Sequence, residues 1–268
     1  MKAFSLASSA GLITGSTQGI GHAIALGLQE AGAGVVFHGP GERPATVPAN
    51  AAYVAGDLFK LETPGALVTA AFQANAALDL LVCNAGSFFD LPFLDMDPDR
   101  WAQTINLNVR ATYFVVQAFA RELVARKRSG AIVILSSTNG LQSEPDSTAY
   151  DTSKGALVMM TRTLAHSLAP HRIRVNSVAP GLIHTPLTAG WLNGKRPETR
   201  RLYEKKIMLG RIGEPVDCAG PAVFLLSPAA SYITGQVLSV NGGSTMAVAG
   251  GVAAASVILC SSAPSLCS

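Results

Sequence analysis

Residues 14–21 read Thr14-Gly15-Ser16-Thr17-Gln18-Gly19-Ile20-Gly21 and stand between a short apolar run and a longer amphipathic stretch. This order predicts a strand, a tight turn and a helix. Glycine lets the backbone of such a turn come close to a pyrophosphate, which the positive N-terminus of the following helix attracts. The stretch therefore predicts a dinucleotide-binding turn, although glycine-rich turns also occur as plain strand-to-helix connections.

Short aliphatic runs and longer helical stretches alternate along the whole chain, as in βαβ units around a parallel sheet. Strands are expected near Gly11–Thr14, Val35–His38, Tyr53–Ala55, Leu78–Cys83, Ala131–Ser136, Ile173–Val178 and Val237–Val240. Helices are expected near Gly21–Ala31, Pro64–Asn75, Arg100–Arg126, Ala149–Ala169 and Pro215–Leu226. Helices on both faces imply an α/β fold, a doubly wound parallel sheet of seven strands that binds its ligand beyond the carboxyl ends of the strands.

The length of 268 residues fits one α/β domain, and we assign residues 1–243 to a single dinucleotide-binding and catalytic domain. The stretch Gly181–Gly213 is a long insertion after a strand, and its residues 182–213 are expected to form a mobile lid, with a plain surface loop as the alternative. Residues 244–268 are rich in Ala, Ser, Gly and Val. This tail stays unassigned between disorder, packing at a subunit interface and a non-native extension.

The amino-acid composition limits the kinds of molecule that the protein is expected to bind. Charged residues make up 14% of the chain, against a typical share of about 25%, which favours burial between subunits. The net charge is +3 and basic residues form no long run, so no nucleic-acid partner is expected. No apolar run reaches the about 18 residues that span a bilayer, so no membrane partner is expected. Scattered cysteines and histidines match no metal site, and the absence of a signal peptide favours a cytoplasmic setting.

The end of the second predicted strand bears on the choice of dinucleotide. An NAD site usually places an acid here to bind the ribose hydroxyls, but this chain has Gly39. Glu42 is a possible substitute for that acid, whereas Arg43 is suited to pair with a 2′-phosphate. The alternative is that Arg43 is an ordinary solvated loop residue. The pattern therefore favours NADP over NAD, though weakly.

Tyr150 and Lys154 lie four residues apart on a predicted helix, and Ser137 precedes Tyr150 by thirteen residues at the end of a strand. Residues four apart share a helix face, so the phenol and the ammonium can enter one cleft. A neighbouring cation favours a phenolate and brings the pKa of tyrosine closer to the operating pH for acid–base work. Such a pair is common by chance, so the remaining motifs decide its meaning.

Taken together, these motifs resemble the short-chain dehydrogenase/reductase family over residues of about 10 to 243. The resemblance implies a Rossmann-type fold and a dinucleotide held by the glycine turn, by Asn84-Ala85-Gly86 after the fourth strand and by the Asn176–Gly181 segment with Thr185-Pro186. Gly56-Asp57-Leu58 is expected to hold the adenine. The cofactor residues expected are Gly15, Thr17, Gln18, Gly19, Ile20, Gly21, Gly39, Arg43, Asp57, Leu58, Asn84, Ala85, Gly86, Tyr150, Lys154, Pro180, Gly181, Ile183 and Thr185.

The resemblance also implies the catalytic residues. Tyr150 matches the family's acid/base, Lys154 the residue that binds the nicotinamide ribose and lowers the pKa of the tyrosine, and Ser137 the residue that orients the substrate carbonyl. Asn106 precedes Leu as does the family asparagine that holds a water of the proton relay, and it is chosen over Asn108. For the serine, the spacing from Tyr150 favours Ser137 over its neighbour. No metal residue is expected.

These motifs predict an NAD(P)-dependent enzyme that interconverts a secondary alcohol and a ketone by hydride transfer. The stretch Thr138–Ala149 is unusually polar for the wall of a pocket, which suggests a hydroxylated small molecule such as a sugar or polyol. Reduction of 3-oxoacyl groups on acyl carrier protein is the second hypothesis. An epimerase or dehydratase and a non-catalytic dinucleotide sensor are two further hypotheses. The family resemblance implies a homotetramer.

Overall fold

The computed structural model describes residues 2–192 and 197–246, which build one seven-stranded sheet with every neighbouring pair parallel. The strands are β1 Ala10–Ile13, β2 Gly34–Gly39, β3 Ala52–Ala55, β4 Leu78–Cys83, β5 Gly130–Leu135, β6 Ile173–Pro180 and β7 Val237–Val240. Their order across the sheet is β3-β2-β1-β4-β5-β6-β7. All seven predicted strands are confirmed, with bounds that differ by at most two residues.

Two helical layers cover the sheet, as the sequence pattern predicts. The helices are α1 Gly19–Glu30, α2 Thr63–Ala74, α3 Pro98–Ile105, α4 Thr112–Ala125, α5 Thr148–Leu168, α6 Pro186–Leu192, α7 Pro197–Lys206 and α8 Pro215–Leu226. One core cluster joins α2, α4 and α5 to the sheet through side chains such as Phe72, Phe119 and Leu157. The other cluster joins α1 and α8 through Leu28 and Leu225. Burial on both faces explains why the central strands are almost wholly aliphatic.

The strand order reverses between β1 and β4, because the chain builds outward from β1 to β3 and then returns to the other side of β1. The connections after these two strands leave the sheet in opposite directions and open a crevice at its carboxyl edge. The glycine turn follows β1 at Ile13, and the Asn84-Ala85-Gly86 segment follows β4 at Cys83. The topology therefore brings both predicted motifs to the same crevice.

The helix predicted over Arg100–Arg126 is interrupted in the structure. A π-helical segment, Asn106–Ala111, joins α3 to α4. A π turn carries one extra residue and changes the direction of the side chains that follow, and such turns are frequent at functional sites. The helix also begins earlier than predicted, because the Asp97 carboxylate caps it by accepting a hydrogen bond from the N–H of Arg100 at 2.8 Å.

The predicted insertion of residues 182–213 contains α6 and α7, which the sequence analysis did not predict. Its two ends are joined by a parallel bridge between Ile183 and Gly213. The mobility of this lid segment stays a prediction. The unassigned tail lies outside the described residues from residue 247 onward, and its first three residues form a turn. Among the helices that the structure describes, none is long and apolar enough to cross a membrane.

Candidate active site

The glycine turn after β1 requires glycine for backbone and steric reasons. Gly15 and Gly19 have φ angles of +62° and +58°, in the left-handed region that favours glycine. A Cβ atom on Gly21 would collide with the Asn84 side chain and with the carbonyl oxygen of Gly15. Asn84 holds the turn in place, because its Nδ2 donates to the carbonyls of Thr14 and Gly15 at 3.1 and 2.9 Å. In this structure Asn84 therefore ties β4 to the turn.

The turn leaves the N-terminus of α1 open toward the crevice. Gln18 is the N-cap residue of this helix of 12 residues, and no described side chain caps the first backbone N–H groups. Uncapped N–H groups and the helix dipole together attract an anionic group. Across the crevice, a Cβ atom on Gly19 would lie 3.5 Å from the Cβ of Thr185, which follows β6. The glycine turn, the uncapped N-terminus of α1 and Thr185 together form a cradle that fits the pyrophosphate of a dinucleotide.

The end of β2 supports the glycine turn through His38, whose role the sequence analysis missed. The Nδ1 atom of His38 accepts a hydrogen bond from the N–H of Gly15 at 3.0 Å, and its Nε2 lies 2.9 Å from the carbonyl of Gly56. These partners require the neutral imidazole with its proton on Nε2. Burial lowers the pKa of His38 from 6.5 to about 4, since a buried imidazolium would lose its hydration.

The next residue, Gly39, cannot be replaced by a larger residue without movement of its neighbours. A Cβ atom there would lie 2.7 Å from the Cγ2 of Thr17 and 2.8 Å from the hydroxyl of Tyr53. The missing acid at this position therefore has a steric cause. Arg43, four residues after Gly39, was predicted to pair with a 2′-phosphate, but its side chain binds its own loop instead.

The Arg43 guanidinium is engaged within its own loop. It donates to the carbonyls of Pro48, Ala49 and Ala51 at 3.0, 3.0 and 2.7 Å. Its position also places it over the Tyr53 ring, 5.8 Å from the ring centre. In this structure three of the five N–H donors of Arg43 bind its own loop, so the prediction that it pairs with a 2′-phosphate finds no support here. The exposed position of Arg43 agrees with the alternative of an ordinary loop residue.

Two further predicted cofactor residues have other contacts. The side chain of Leu58 is buried, 5% exposed, in the core cluster that joins α2 and α4 to the sheet. The Asp57 carboxylate accepts a hydrogen bond from the N–H of Phe59 at 3.0 Å and is partly exposed. The assignment of both residues to the adenine stays a prediction.

The segment after β6 closes the crevice on the side opposite Asn84. The N–H of Gly181 donates to the carbonyl of Val240 at 2.9 Å, which ties the segment to β7. Ile183 is buried, 4% exposed, and the N–H of Thr185 donates to the hydroxyl of Thr188 at 2.9 Å. Pro180, Gly181, Ile183 and Thr185 thus line one continuous path from the sheet to the lid segment.

Ser137 and Tyr150 meet at the carboxyl end of β5, as predicted. Their hydroxyl groups lie close enough for Ser137 to act on the tyrosine, and this interaction by itself lowers the pKa of Tyr150. The Oγ of Ser137 also accepts from the N–H of Asn139 at 3.1 Å, which fixes the serine rotamer. The ring of Phe88 stands edge-on to the Tyr150 ring, with centroids 5.9 Å apart. The pair therefore presents two hydroxyl groups side by side to anything that enters beside Phe88.

Lys154 lies on the same face of α5 as Tyr150. Its Nζ is 5.3 Å from the centre of the Tyr150 ring and donates to the carbonyl of Leu135 at 3.0 Å. The lysine is buried, and burial lowers its pKa to about 8. The expected lowering of the tyrosine pKa is not found: burial and the neighbouring carboxylates raise the pKa of Tyr150 to about 12. Tyr150 therefore keeps its proton at neutral pH and can donate it.

In the structure, the asparagine that lies beside Ser153 and Gly86 is Asn108, whereas the sequence analysis chose Asn106. The Nδ2 of Asn108 donates to the Oγ of Ser153 and to the carbonyl of Ser87, both at 2.9 Å. Its Oδ1 accepts from the N–H of Ser87 at 3.0 Å and faces Gly86. Residues two apart on a helix point to different sides, so Asn106 cannot share this position. The choice of Asn106 is therefore corrected to Asn108.

The sequence analysis also missed three carboxylates beside Tyr150, those of Asp90, Glu144 and Asp151. Each raises the pKa of Tyr150, after the larger effect of burial. Asp90 follows β4, Glu144 lies between β5 and α5, and Asp151 is in the first turn of α5. Glu144 and Asp151 stand in the polar stretches already noted, but no sequence pattern shows that they converge with Asp90.

Comparison with known proteins agrees with this site. A family model described as "Enoyl-(Acyl carrier protein) reductase" matches residues 15–245. The chain is 36% identical over 244 residues to an L-rhamnose 1-dehydrogenase (NAD(P)(+)) from Azotobacter vinelandii, covering 87% of this chain and 94% of the relative. It is 37% identical over 241 residues to a 3-oxoacyl-[acyl-carrier-protein] reductase from Aquifex aeolicus, covering 87% and 95%.

A solved structure shows the same architecture. The crystal structure of a gluconate 5-dehydrogenase from Burkholderia cenocepacia in complex with NADP and tartrate superposes with a TM-score of 0.86 and 32% identity. The superposition covers 92% of this chain and 99% of that chain. Sequence and fold agree over nearly all described residues. The chain therefore belongs to the short-chain dehydrogenase/reductase family.

Proposed function

We propose that the protein is an NAD(P)-dependent oxidoreductase that interconverts a secondary alcohol and a ketone, with Tyr150 as acid and base. The observation that carries this proposal is the proximity of the Ser137 and Tyr150 side chains, with the Lys154 ammonium 5.3 Å from the centre of the tyrosine ring. The pair stands at the carboxyl edge of the sheet, in the crevice that contains the uncapped N-terminus of α1. A bound nicotinamide dinucleotide would supply or accept the hydride.

The residues of the chain handle the oxygen of the substrate. In the reductive direction, Ser137 and Tyr150 both donate hydrogen bonds to the carbonyl oxygen and stabilise the negative charge that develops there. Tyr150 then gives its proton to that oxygen and becomes a phenolate. In the oxidative direction the phenolate takes the proton of the alcohol. The raised pKa of Tyr150 favours the protonated starting state, and the interaction with Ser137, which lowers that pKa, favours the phenolate once it forms.

The proton that Tyr150 loses must be restored between turnovers. Lys154 is the cationic donor on this helix face, and both its Nζ and the Oδ1 of Asn108 lie beside Gly86, at 3.7 and 3.0 Å from where a Cβ on that glycine would be. The Nδ2 of Asn108 is engaged by Ser87 and Ser153, so its Oδ1, which has a second lone pair, is the atom that can accept a hydrogen bond from a water molecule. We assign to Lys154 and Asn108 the relay role that the family resemblance gave to Lys154 and Asn106.

Both NAD and NADP fit the crevice, and the end of β2 favours NADP. A 2′-phosphate there would meet no carboxylate at Gly39 and no room for one. Arg43 gives no support to this preference, since its guanidinium is engaged by carbonyls of its own loop. The preference for NADP therefore rests on the absence of a repelling charge at position 39, with the NADP of the gluconate 5-dehydrogenase structure in agreement.

A hydroxylated small molecule, such as a sugar or polyol, is the proposed substrate class. The wall between Ser137 and Tyr150 presents the side chains of Asn139 and Glu144, which hydrogen-bond to polar partners. The carboxylate oxygens of Glu144 have further lone pairs, which a substrate hydroxyl group can donate to and which an acyl chain would bury without a donor, at a cost of about 1–3 kcal/mol. Reduction of 3-oxoacyl groups remains the second candidate, because a 3-oxoacyl reductase is among the relatives at similar identity.

The test is the absorbance of reduced nicotinamide when the purified protein is offered NAD or NADP with sugars and polyols, and the reverse reaction with ketones and 3-oxoacyl thioesters. The Tyr150→Phe variant is expected to bind dinucleotide normally and to lose turnover by about 10²-fold or more. The Tyr232→Phe variant is a matched control, because that hydroxyl is fully exposed and remote. Undiminished turnover in Tyr150→Phe would remove Tyr150 from the mechanism.

We propose further that the protein is cytoplasmic and forms a homotetramer. Large apolar side chains remain exposed on α3, α4 and α5 and on α8 and β7. They are Trp101, Tyr113, Phe114, Met159, Val216 and Leu238. Contiguous apolar patches on a single chain are typical of subunit contacts. Light scattering of the purified protein tests the assembly, and a monomeric mass would contradict it.

A further inference from the structure

Three segments bring carboxylates to the wall of the site beside Tyr150. The Oδ1 of Asp90 accepts hydrogen bonds from the N–H groups of Ala149 and Tyr150 at 3.1 and 3.2 Å, which places this carboxylate at the N-terminus of α5. Its other oxygen, Oδ2, is buried and accepts no hydrogen bond among the described residues. Asp90 therefore adds a negative charge and an unused acceptor oxygen at the first turn of the helix that carries Tyr150.

The other two carboxylates are held together by one amide. The Nδ2 of Asn139 donates to Asp151 at 2.7 Å and to Glu144 at 3.3 Å. The backbone N–H of Glu144 also donates to the second oxygen of Asp151, at 2.8 Å. These contacts fix two like charges a few ångströms apart in the stretch that follows Ser137. The arrangement is rigid because every bond is short and local in the chain.

Among the described residues, these three carboxylates have no cationic partner. In the part of the chain that the structure describes, no ion pair includes Asp90, Glu144 or Asp151. Lys206 on α7 lies 5.4 Å from the centre of the Tyr203 ring, and it makes no ion pair with Glu144. Lys154 donates to a carbonyl of β5.

The lid segment covers the carboxylates from the other side. The hydroxyl of Tyr203, on α7, donates to the Oε1 of Glu144 at 2.8 Å. A substrate between Tyr150 and the lid therefore passes Glu144, whose side chain is half-buried. A carboxylate oxygen accepts hydrogen bonds and donates none, so it suits a hydroxyl group and repels another carboxylate. Partial removal of water strengthens both effects.

We propose that Asp90, Glu144 and Asp151 make this site select uncharged hydroxylated substrates over anionic ones, with Glu144 as the specificity-determining residue nearest the lid. The inference rests on the proposed function, which places the substrate beside Tyr150. It divides the sugar and polyol class in two: neutral sugars, polyols and their ketones are accepted, whereas sugar acids are disfavoured. The effect of the three charges on the pKa of Tyr150 agrees with their facing the same space.

The test compares D-gluconate with D-gluconamide, two probes of nearly the same shape that differ by one negative charge. Binding of each probe to protein saturated with NADP is measured by calorimetry, and kcat/KM is measured wherever turnover occurs. The wild-type protein is expected to prefer gluconamide by about tenfold or more. The Glu144→Gln variant should reduce that ratio severalfold. Glu122→Gln changes the net charge equally at the far end of α4, where Glu122 pairs with Arg126, and should leave the ratio unchanged.

The outcomes separate this inference from the proposed function. The selectivity is overturned if the two probes bind equally or if gluconate binds more tightly. It is also overturned if Glu144→Gln and Glu122→Gln change the gluconamide-to-gluconate ratio equally. Failure of gluconamide to bind overturns it too, because a neutral polyol must enter the site. A preference for gluconamide in binding without any turnover supports the selectivity and counts against the oxidoreductase.

The pH–rate profile is a second measurement, and it distinguishes the charge of Glu144 from a merely structural role of that side chain. The charge of Glu144 raises the pKa of Tyr150, so Glu144→Gln should lower the pKa at which Tyr150 acts in the pH–rate profile. Tyr203→Phe keeps the charge of Glu144 and should leave the gluconamide preference in place. Loss of the preference in Tyr203→Phe would assign the selectivity to lid contacts and would overturn the role of the carboxylate.

Discussion

The Nδ1 atom of His38 accepts a hydrogen bond from the backbone N–H of Gly15, at 3.0 Å, and thereby joins the end of β2 to the glycine turn. The His38 side chain is almost fully buried, 2% exposed, and its second nitrogen lies 2.9 Å from the carbonyl of Gly56. A protonated ring would present a donor to the N–H of Gly15 and break this bond. The shape of the cofactor cradle therefore depends on a neutral histidine.

Stability should fall in acid because of His38. Burial lowers the pKa of His38 from 6.5 in the unfolded chain to about 4 in the fold, so between these values the unfolded state binds more protons. The stabilisation is complete above pH 6.5 and is lost as the pH falls toward 4. It amounts to about 3 kcal/mol at most. Urea unfolding from pH 7 to pH 4 measures it.

The His38→Asn variant tests the source of this pH dependence. An asparagine oxygen can take the place of Nδ1 and accept from Gly15, but it does not titrate. The slope of the unfolding free energy against pH should flatten in His38→Asn and stay unchanged in His171→Asn, whose histidine is exposed. Unaltered slopes in both variants would assign the acid sensitivity to other groups.

Asn108 and Asn106 should differ sharply when each is replaced by alanine. Asn108→Ala removes three hydrogen bonds, one of them buried, and the proposed site for a relay water, so kcat should fall by about 10²-fold with little change in the KM for dinucleotide. Asn106→Ala is expected to change kcat by less than about threefold, because the Asn106 side chain is partly exposed and lies on another side of the helix. Steady-state kinetics of the two variants decide the assignment. Equal losses would mean that the helix itself, not the amide, is being disturbed.

The choice between Asn106 and Asn108 also shows how much of the candidate site could be predicted from the sequence. Motif order and spacing placed Ser137, Tyr150 and Lys154 correctly together, because β5 and α5 are regular elements whose geometry follows from periodicity. The choice between the asparagines depended on helix phase. Counting back from Phe119 through Val115 and Thr112 in steps of three or four reaches Asn108 and not Asn106. That buried stripe was the signal available.

Other features could not be read from the sequence for physical reasons. Arg43 was assigned by its charge, but its contacts depend on how the loop after β2 folds back on Ala51, and loops have no periodicity to indicate this. The three carboxylates beside Tyr150 come from segments up to about 60 residues apart, since Asp90 caps the helix that contains Asp151. Regular elements were predictable, whereas contacts between loops were not.

Arg43→Ala should lower stability without changing the choice of dinucleotide. The variant loses three hydrogen bonds to loop carbonyls, which contribute about 1 kcal/mol each or less at an exposed site. The ratio of kcat/KM for NADP to that for NAD is expected to change by less than about threefold, because a lost charge-assisted pair with phosphate would cost much more. Kinetics with both dinucleotides check this. A large selective loss with NADP would show that Arg43 leaves its loop when the dinucleotide binds.

Two glycines of α1 provide a matched pair for the cradle. At Gly21 an added Cβ would collide with the Asn84 side chain and with the carbonyl of Gly15, so Gly21→Ala should distort the turn and weaken dinucleotide binding by about tenfold or more. At Gly27 a Cβ would meet Ala219 and Val223 at 3.4 and 3.5 Å, which are ordinary contacts. Gly27→Ala should therefore stabilise the helix by about 0.5–1 kcal/mol and leave binding unchanged. Fluorescence titration with NADPH and thermal unfolding of both variants make the comparison, and equal binding in Gly21→Ala would show that the crevice accommodates the dinucleotide without a close approach at this glycine.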